Sequence, residues 1–122
     1  IGRSRGATVC FPLTEAETQL TMMRQLCYYT LNLRDQNLPH TSEAAMCKWY
    51  LPKTCCEIIH QCLILHGHYG YTTDLPHHQR YNDVLGLQIG DGTAQIQKLV
   101  IAREKVGRVA LQYDNKSKGA AK

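Results

Sequence analysis

Residues 88–104 read Gln-Ile-Gly-Asp-Gly-Thr-Ala-Gln-Ile-Gln-Lys-Leu-Val-Ile-Ala-Arg-Glu and place one carboxylate, Asp91, between two glycines. Thr93 is a favourable N-cap residue, and apolar side chains then recur at helical spacing at Ile96, Leu99, Val100 and Val106. A helix start carries partial positive charge and free N–H groups, which suit anions and an ionised carboxylate. Asp91 therefore has the setting of a catalytic base. Taken alone, however, Gly-Asp-Gly-Thr is more often an ordinary loop before a helix.

Upstream of this stretch, the spacing of apolar residues predicts two long helices. Residues 1–12 are predicted to be irregular, and Thr14 with Glu17 forms a capping-box pattern for a helix that runs to about Gln36. A second helix is expected to open at Thr41 or Ser42. Its apolar stripe is the strongest periodic signal in the chain and comprises Ala44, Cys47, Leu51, Cys55, Ile58, Cys62 and Leu65.

Proline and glycine set the other predicted boundaries. Pro52 should kink the second helix, and Gly67 and Gly70 should end it, with a turn over residues 69–73. Asp74 is expected to cap a short helix that runs to about residue 85, with a loop over residues 86–92.

The last helix is predicted from Thr93 to about Leu111, and residues 112–122 as a flexible tail. With no strand pattern, this indicates one all-α domain, residues 1–111, built as an antiparallel, up-and-down helical bundle.

Composition excludes several classes of function. The chain has 122 residues and a formal charge of +4, without a basic run interleaved with aromatics, so nucleic acid is not expected as a partner. No stretch approaches the ~20 apolar residues of a membrane span. The six cysteines form no CxxC pair and mostly lie in predicted helices, which favours free thiols in a cytosol-like compartment. The histidines are not spaced for a metal, so no metal site is expected.

Three motifs, taken together, resemble the C-terminal helical domain of acyl-CoA dehydrogenases over roughly residues 5–105. The family pattern Ile-Tyr-Glu-Gly-Thr-x-x-Ile-Gln-x-x-x-Ile-Ala-Arg-Glu is matched by the residues at 89–93, 96–97 and 101–104. Residues 43–48, Glu-Ala-Ala-Met-Cys-Lys, match Glu-Ala-Ala-Met-x-Lys at the start of a long helix. Residues 66–71, His-Gly-His-Tyr-Gly-Tyr, are similar to the family turn His-Gly-Gly-x-Gly-Tyr.

The resemblance implies an FAD-dependent oxidoreductase that acts on an acyl-CoA thioester. In that family a carboxylate removes the α-proton while the β-hydrogen leaves as hydride to the flavin. Asp91 stands where the family has its catalytic Glu, and its N–H corresponds to a donor to the thioester carbonyl. The positions matching flavin-contacting residues are Arg5, Gly67, Thr93 and Gln95.

The family assembles through this bundle, so a homo-oligomer (a dimer or a dimer of dimers) is implied. The implied location is the cytoplasm, or the mitochondrial matrix in a eukaryote. The chain begins at Ile1 without Met and, by the resemblance, at the end of one helix. We therefore expect a piece of a longer protein that lacks the first long helix and the two preceding domains and is inactive alone.

Several positions depart from the family pattern. Asp91 is one methylene shorter than Glu, Ile64 and His68 replace a Gln and a Gly of the flavin-contacting turn, and Glu17 replaces a nucleotide-contacting Gln. Asn82 replaces the Arg of an Arg-Asp pair. Two alternatives therefore stay open: a non-catalytic oligomerisation subunit with a decayed flavin site, and a related flavoprotein that oxidises nitroalkanes.

Overall fold

In the computed structural model, residues 2–110 are described, with side chains described for residues 6–109. This part of the chain is helical and contains no strand, which confirms the predicted all-α class. The elements are α1 (Gly2–Asp35), α2 (Thr41–Leu65), α3 (Gly67–Tyr71), α4 (His77–Ile89) and α5 (Ala94–Val106), followed by one 3₁₀ turn (Arg108–Ala110). The predicted tail at 112–122 lies outside the described residues.

Helix α2 is the centre of the bundle, and α1 packs along one side of it. Near the start of α2, Thr30 Oγ1 lies 3.5 Å from Cys47 Sγ. Near its end, Pro12 of α1 and Ile58 of α2 line one common depression. Residue numbers therefore fall along α1 as they rise along α2, so the two helices are antiparallel.

Helices α4 and α5 also run antiparallel to α2 and divide its length between them. Lys105 Nζ of α5 donates to Glu43 Oε1 at 3.0 Å, and Lys98 Nζ lies 4.5 Å from the centre of the Trp49 ring. The start of α4 lies beside the C-terminal end of α2, and its last turn lies beside the middle of α2, where Gln88 Nε2 is 3.2 Å from Cys56 Sγ. The turn between α4 and α5 consequently lies halfway along α2.

Two faces of α2 are covered, although only one was conspicuous as an apolar stripe. The predicted stripe contacts α1 through Cys47, Leu51 and Cys55. The most buried side chains of α2 are mainly small or polar: Ser42, Ala45, Pro52, Thr54 and Cys56. Ser42, Thr54 and Pro52 are not counted as apolar when a sequence is searched for periodicity, so this second contact surface was not evident from the sequence.

The start of α1 corrects the prediction that residues 1–12 are irregular, since the helix begins at Gly2 and continues through Pro12. Proline removes one backbone donor, but the turns on either side of it remain hydrogen-bonded. The capping box is also wrong: the Thr14 hydroxyl donates to the Phe11 carbonyl at 2.9 Å inside the helix.

Helix α2 begins at Thr41 as predicted, but neither predicted hydroxyl caps it. His40 occupies the N-cap position without a side-chain cap bond. The Ser42 hydroxyl is buried inside the first turn and has no hydrogen-bond partner in the described structure.

Glycines account for the remaining corrections. Gly67, at φ +59°, separates α2 from α3, so residues 67–71 form a short helix where a turn over 69–73 was predicted. Gly86 does not start a loop: α4 continues through it to Ile89, since a helical glycine costs only about 1 kcal/mol. Gly107, at φ +95°, ends α5 before the predicted Leu111 by taking a conformation that favours glycine. Asp74 does not cap α4, which has Pro76 at its N-cap position.

Candidate functional site at the turn between the fourth and fifth helices

Asp91 is held in an unusual backbone conformation immediately after α4. Gly90 N donates to Gly86 O at 2.9 Å and completes the last turn of α4. Asp91 follows at φ +56°, in the left-handed region that few non-glycine residues adopt but that Asp tolerates. Its side chain is exposed and takes part in no hydrogen bond or ion pair with the described residues. The carboxylate is therefore free to meet another molecule.

The start of α5 presents several unpaired donors next to this carboxylate. Thr93 occupies the N-cap position, but its hydroxyl makes no cap bond, contrary to the role predicted for it. The first backbone bond of α5 runs from Gln97 N to Thr93 O at 3.0 Å, so the N–H groups of Ala94, Gln95 and Ile96 have no helical acceptor. These donors and the positive end of the helix can accept an anion such as a phosphate.

Gly92 adopts φ +98° and has the Gln97 side chain folded over it. A Cβ added at Gly92 would lie 2.6 Å from Gln97 Nε2. The absence of a side chain at this position therefore allows the first turn of α5 to close against the turn that carries Asp91.

Two residues that the sequence analysis did not assign to the site support the turn from its α4 side. Lys48 Nζ of α2 donates to Leu87 O at 2.6 Å, and Gln88 is tied to Cys56 as described above. Lys48 belongs to the motif at 43–48, which the sequence analysis used only as a mark of resemblance. Its contact joins residues 39 positions apart, so local sequence could not reveal it.

The predicted cofactor-contacting residues fall at two places rather than one. Thr93 and Gln95 adjoin Asp91, and Gly67 lies at the opposite end of α4. The 13 residues of α4 correspond to about 20 Å at 1.5 Å per residue. The backbone of Arg5 is helical and lies toward the end of the bundle where α2 finishes, and its side chain is outside the described part. A single copy therefore brings Asp91, Thr93 and Gln95 together, but not Gly67 or Arg5.

Comparison with known proteins identifies the bundle. A family model described as the C-terminal domain of acyl-CoA dehydrogenases matches residues 4–106. The chain belongs to the acyl-CoA dehydrogenase family. It is 34% identical over 96 residues to an acryloyl-CoA reductase (NADH) of Anaerotignum propionicum, covering 79% of this chain and 24% of that protein. It is 35% identical over 92 residues to the mitochondrial short-chain specific acyl-CoA dehydrogenase of Rattus norvegicus, covering 75% and 22%.

Solved structures give the same result for this acyl-CoA dehydrogenase domain. The acyl-CoA dehydrogenase of Geobacillus kaustophilus matches with a TM-score of 0.76 and 28% identity, covering 80% of this chain and 26% of that one. A chain in a structural study of the electron transferring flavoprotein of Acidaminococcus fermentans matches with the same TM-score at 27% identity. The chain spans about a quarter of the length of the relatives that it matches.

The positions that depart from the family pattern are mostly exposed in this acyl-CoA dehydrogenase domain. Ile64 and His68 are exposed on either side of Gly67. Glu17 is 4.0 Å from Arg24 on the next turns of α1, so its charge is partly balanced within that helix. Asp83 is exposed and joins no ion pair within the described residues.

Buried or paired groups shift several pKa values around the central helix. The Lys105 hydrogen bond, followed by the carboxylate's own backbone N–H, lowers the pKa of Glu43. Burial, followed by the neighbouring His66, lowers the pKa of His77, whose ring centre lies 4.7 Å from that of His66. Burial, followed by the Cys47 thiol, raises the pKa of Cys27.

No described helix combines the length and apolarity needed to cross a bilayer. Among the side chains of residues 6–109, no three His, Cys, Asp or Glu residues come together in a group that could hold a metal ion.

Proposed function

We propose that this domain supplies the catalytic base and part of the flavin site of an FAD-dependent acyl-CoA dehydrogenase. The observation that carries the proposal is Asp91: an exposed, unpartnered carboxylate at φ +56°, directly before the free N–H groups of α5. A base needs an ionised and accessible carboxylate on a positioned backbone. The turn at 90–93 supplies an accessible carboxylate on a backbone of defined conformation.

Asp91 acts in two ways in the proposed reaction. Its carboxylate takes the α-proton of the acyl-CoA thioester. Its backbone N–H donates to no backbone carbonyl of the described residues, so it can donate to the thioester carbonyl oxygen. That hydrogen bond stabilises the negative charge that develops as the proton leaves.

The donors beside Asp91 fit a nucleotide cofactor. Thr93, Gln95 and the unpaired first-turn N–H groups of α5 would hold FAD from this copy, and they offer hydrogen-bond donors suited to phosphate and hydroxyl oxygens. Gly67 and Arg5, at the far end of the bundle, would hold FAD of a neighbouring copy. FAD, when bound, accepts the β-hydrogen as hydride.

The shorter side chain of Asp91 makes the backbone position critical. Relative to Glu, one C–C bond of about 1.5 Å is lost, and a misplacement of about 1 Å can cost on the order of 10²-fold in rate. The left-handed conformation of Asp91 is the feature of this chain that sets where the shorter carboxylate lies.

The reverse reaction, reduction of an α,β-unsaturated thioester, is a second candidate. Two relatives favour it by name: the acryloyl-CoA reductase above, and subunit CarC of the caffeyl-CoA reductase–Etf complex of Acetobacterium woodii, which is 32% identical over 94 residues. Both directions use the same proton position, so Asp91 would deliver the α-proton instead of removing it.

The test uses the full-length protein that contains this chain. We expect Asp91→Asn to abolish turnover of butyryl-CoA with an electron-accepting dye, and of crotonyl-CoA with a reduced dye, while flavin remains bound. Asp74→Asn is the matched control, because Asp74 is an exposed carboxylate in the loop before α4. Full activity of Asp91→Asn would remove Asp91 from the role.

The wild-type protein distinguishes the alternatives in the same assay. A yellow protein that turns over acyl-CoA supports the dehydrogenase, and turnover of nitroalkanes alone would support the related oxidase. A colourless protein that still assembles would support a non-catalytic subunit.

We also propose that the domain self-associates. Apart from Pro52, the buried apolar side chains of the described part are only Met23, Ala45 and Cys56. Large apolar side chains remain exposed, including Phe11 at 65% and Tyr28 at 62%. Apolar surface of this extent favours association. Sedimentation velocity should show a dimer or larger species. A clean monomer at high concentration would contradict the proposal.

A further inference from the structure

Lys48 donates a hydrogen bond to a backbone carbonyl in the last turn of α4. In an α-helix each carbonyl accepts the N–H four residues later, so Leu87 O is the acceptor that Asp91 N–H would use if α4 continued. The preceding bond, from Gly90 N to Gly86 O, is formed at 2.9 Å. The bond from Asp91 N to Leu87 O is not formed, and Lys48 Nζ lies 2.6 Å from that carbonyl instead.

The charge of Lys48 suits this position. The last carbonyls of a helix carry partial negative charge and lack intrahelical donors. An ammonium group satisfies one of them and is attracted to the helix end. The neighbouring Gln88 is held to α2 by Cys56, at 3.2 Å. The last turn of α4 is therefore fixed to α2 at two consecutive residues.

We propose that Lys48 is a positioning residue for Asp91: by holding the Leu87 carbonyl toward α2 it ends α4, and it leaves the Asp91 N–H free to face the thioester. This inference rests on the proposed function. Without the ammonium group, Leu87 O is no longer held toward α2 and can align with Asp91 N–H. The helix can then extend by one residue, which moves Asp91 out of its left-handed conformation.

The experiment uses the full-length flavoprotein and three substitutions on α2. Lys48→Met removes the ammonium group and keeps an apolar stem, and Lys48→Arg keeps a cationic donor. Lys53→Met is the matched control, because Lys53 is an exposed lysine that pairs with Glu57 within α2 at 2.7 Å. Flavin content, kcat and KM for butyryl-CoA, and amide hydrogen exchange resolved across residues 86–93 are measured for each.

For Lys48→Met we expect kcat to fall by about 10²-fold, as for loss of one oxyanion donor, with KM and flavin content unchanged. The Asp91 amide should exchange more slowly, by about fivefold, because it gains a helical hydrogen bond. Lys48→Arg should stay within about tenfold of the wild-type kcat, since it keeps the donor but changes its geometry. Lys53→Met should match the wild type in every measurement.

An unchanged kcat for Lys48→Met would overturn the proposal. Faster amide exchange across residues 86–93 together with loss of flavin would also overturn it, because that result indicates that Lys48 only stabilises the fold. If Lys48→Met does not fold, Lys48→Arg decides by its kcat and its Asp91 exchange rate. The exchange measurement does not depend on turnover. A failure of the proposed function, seen as full activity of Asp91→Asn, is therefore distinguishable from a failure of this inference.

Discussion

Substituting Gly92 by Ala should lower the free energy of unfolding through two separable contributions. The first part is the backbone: φ is +98°, and an L-residue in the left-handed region costs about 1–2 kcal/mol. The second part is contact, since the new Cβ would lie 2.6 Å from Gln97 Nε2. That atom is the end of a flexible side chain, and turning it away costs about 0.5–1.5 kcal/mol. We expect a total loss of about 2 kcal/mol.

Two further variants separate these contributions. In a Gln97→Ala background the contact disappears, so Gly92→Ala should still cost at least about 1 kcal/mol for the backbone alone. Gly86→Ala should have the opposite sign. Gly86 lies inside α4, and a Cβ there meets nothing within 4 Å, so alanine should stabilise by up to about 1 kcal/mol.

Urea unfolding followed by far-ultraviolet circular dichroism is measured for the wild type and for each variant, including Gln97→Ala alone. One protein concentration is used throughout, because association shifts apparent stability. The reasoning fails if Gly92→Ala has the same urea midpoint of unfolding as the wild type. It also fails if Gln97→Ala removes the whole cost, because the positive φ at Gly92 would then not be required.

Three other predictions follow from the described contacts. Ser42→Ala should stabilise the chain by about 1 kcal/mol in urea unfolding, because the hydroxyl is buried without a partner; a loss of stability would show that the hydroxyl is satisfied. Lys105→Ala should cost about 0.5–1 kcal/mol at pH 7. The cost should vanish as the pH falls below the ordinary Glu value of 4.5 and through the lowered pKa of Glu43, and an equal cost at pH 3 would contradict this. Iodoacetamide should alkylate Cys27 more slowly than the exposed Cys10 at pH 8, because burial and the nearby thiols raise the pKa of Cys27; equal rates by peptide mass spectrometry would refute it.

The position of α2 was predictable because apolar spacing reports packing directly, whereas the start of α1 was not, since the helix continues through Pro12 back to Gly2. The start of α2 was predicted to within one residue. Glycine was a less reliable guide to where a helix ends. Gly67 and Gly107 end helices and Gly86 does not, although each was expected to weaken or end one. The difference is backbone conformation: the first two have positive φ. A sequence pattern does not record that angle.

The candidate site was predictable where its residues are consecutive. Asp91, Thr93 and Gln95 lie within five positions, so one turn brings them together. The support from Lys48 depends on a contact between α2 and α4, and on the helix stopping where it does. Neither is a local property, which is why a sequence reading names Lys48 as a motif residue and assigns it no task.

The motif at residues 43–48 acquires a physical meaning from its two charged ends. Glu43 holds Lys105 near the end of α5, and Lys48 holds Leu87 near the end of α4. The Lys48 contact fixes the α4 side of the turn that carries Asp91, and the Glu43 contact fixes the far end of α5, the helix that follows the turn. One short segment of α2 therefore holds both helices that the turn joins. A sliding movement of either helix along α2 would displace Asp91, and its short side chain has little reach with which to compensate. Selection for a correctly placed carboxylate would therefore act on α2 as well as on the turn itself.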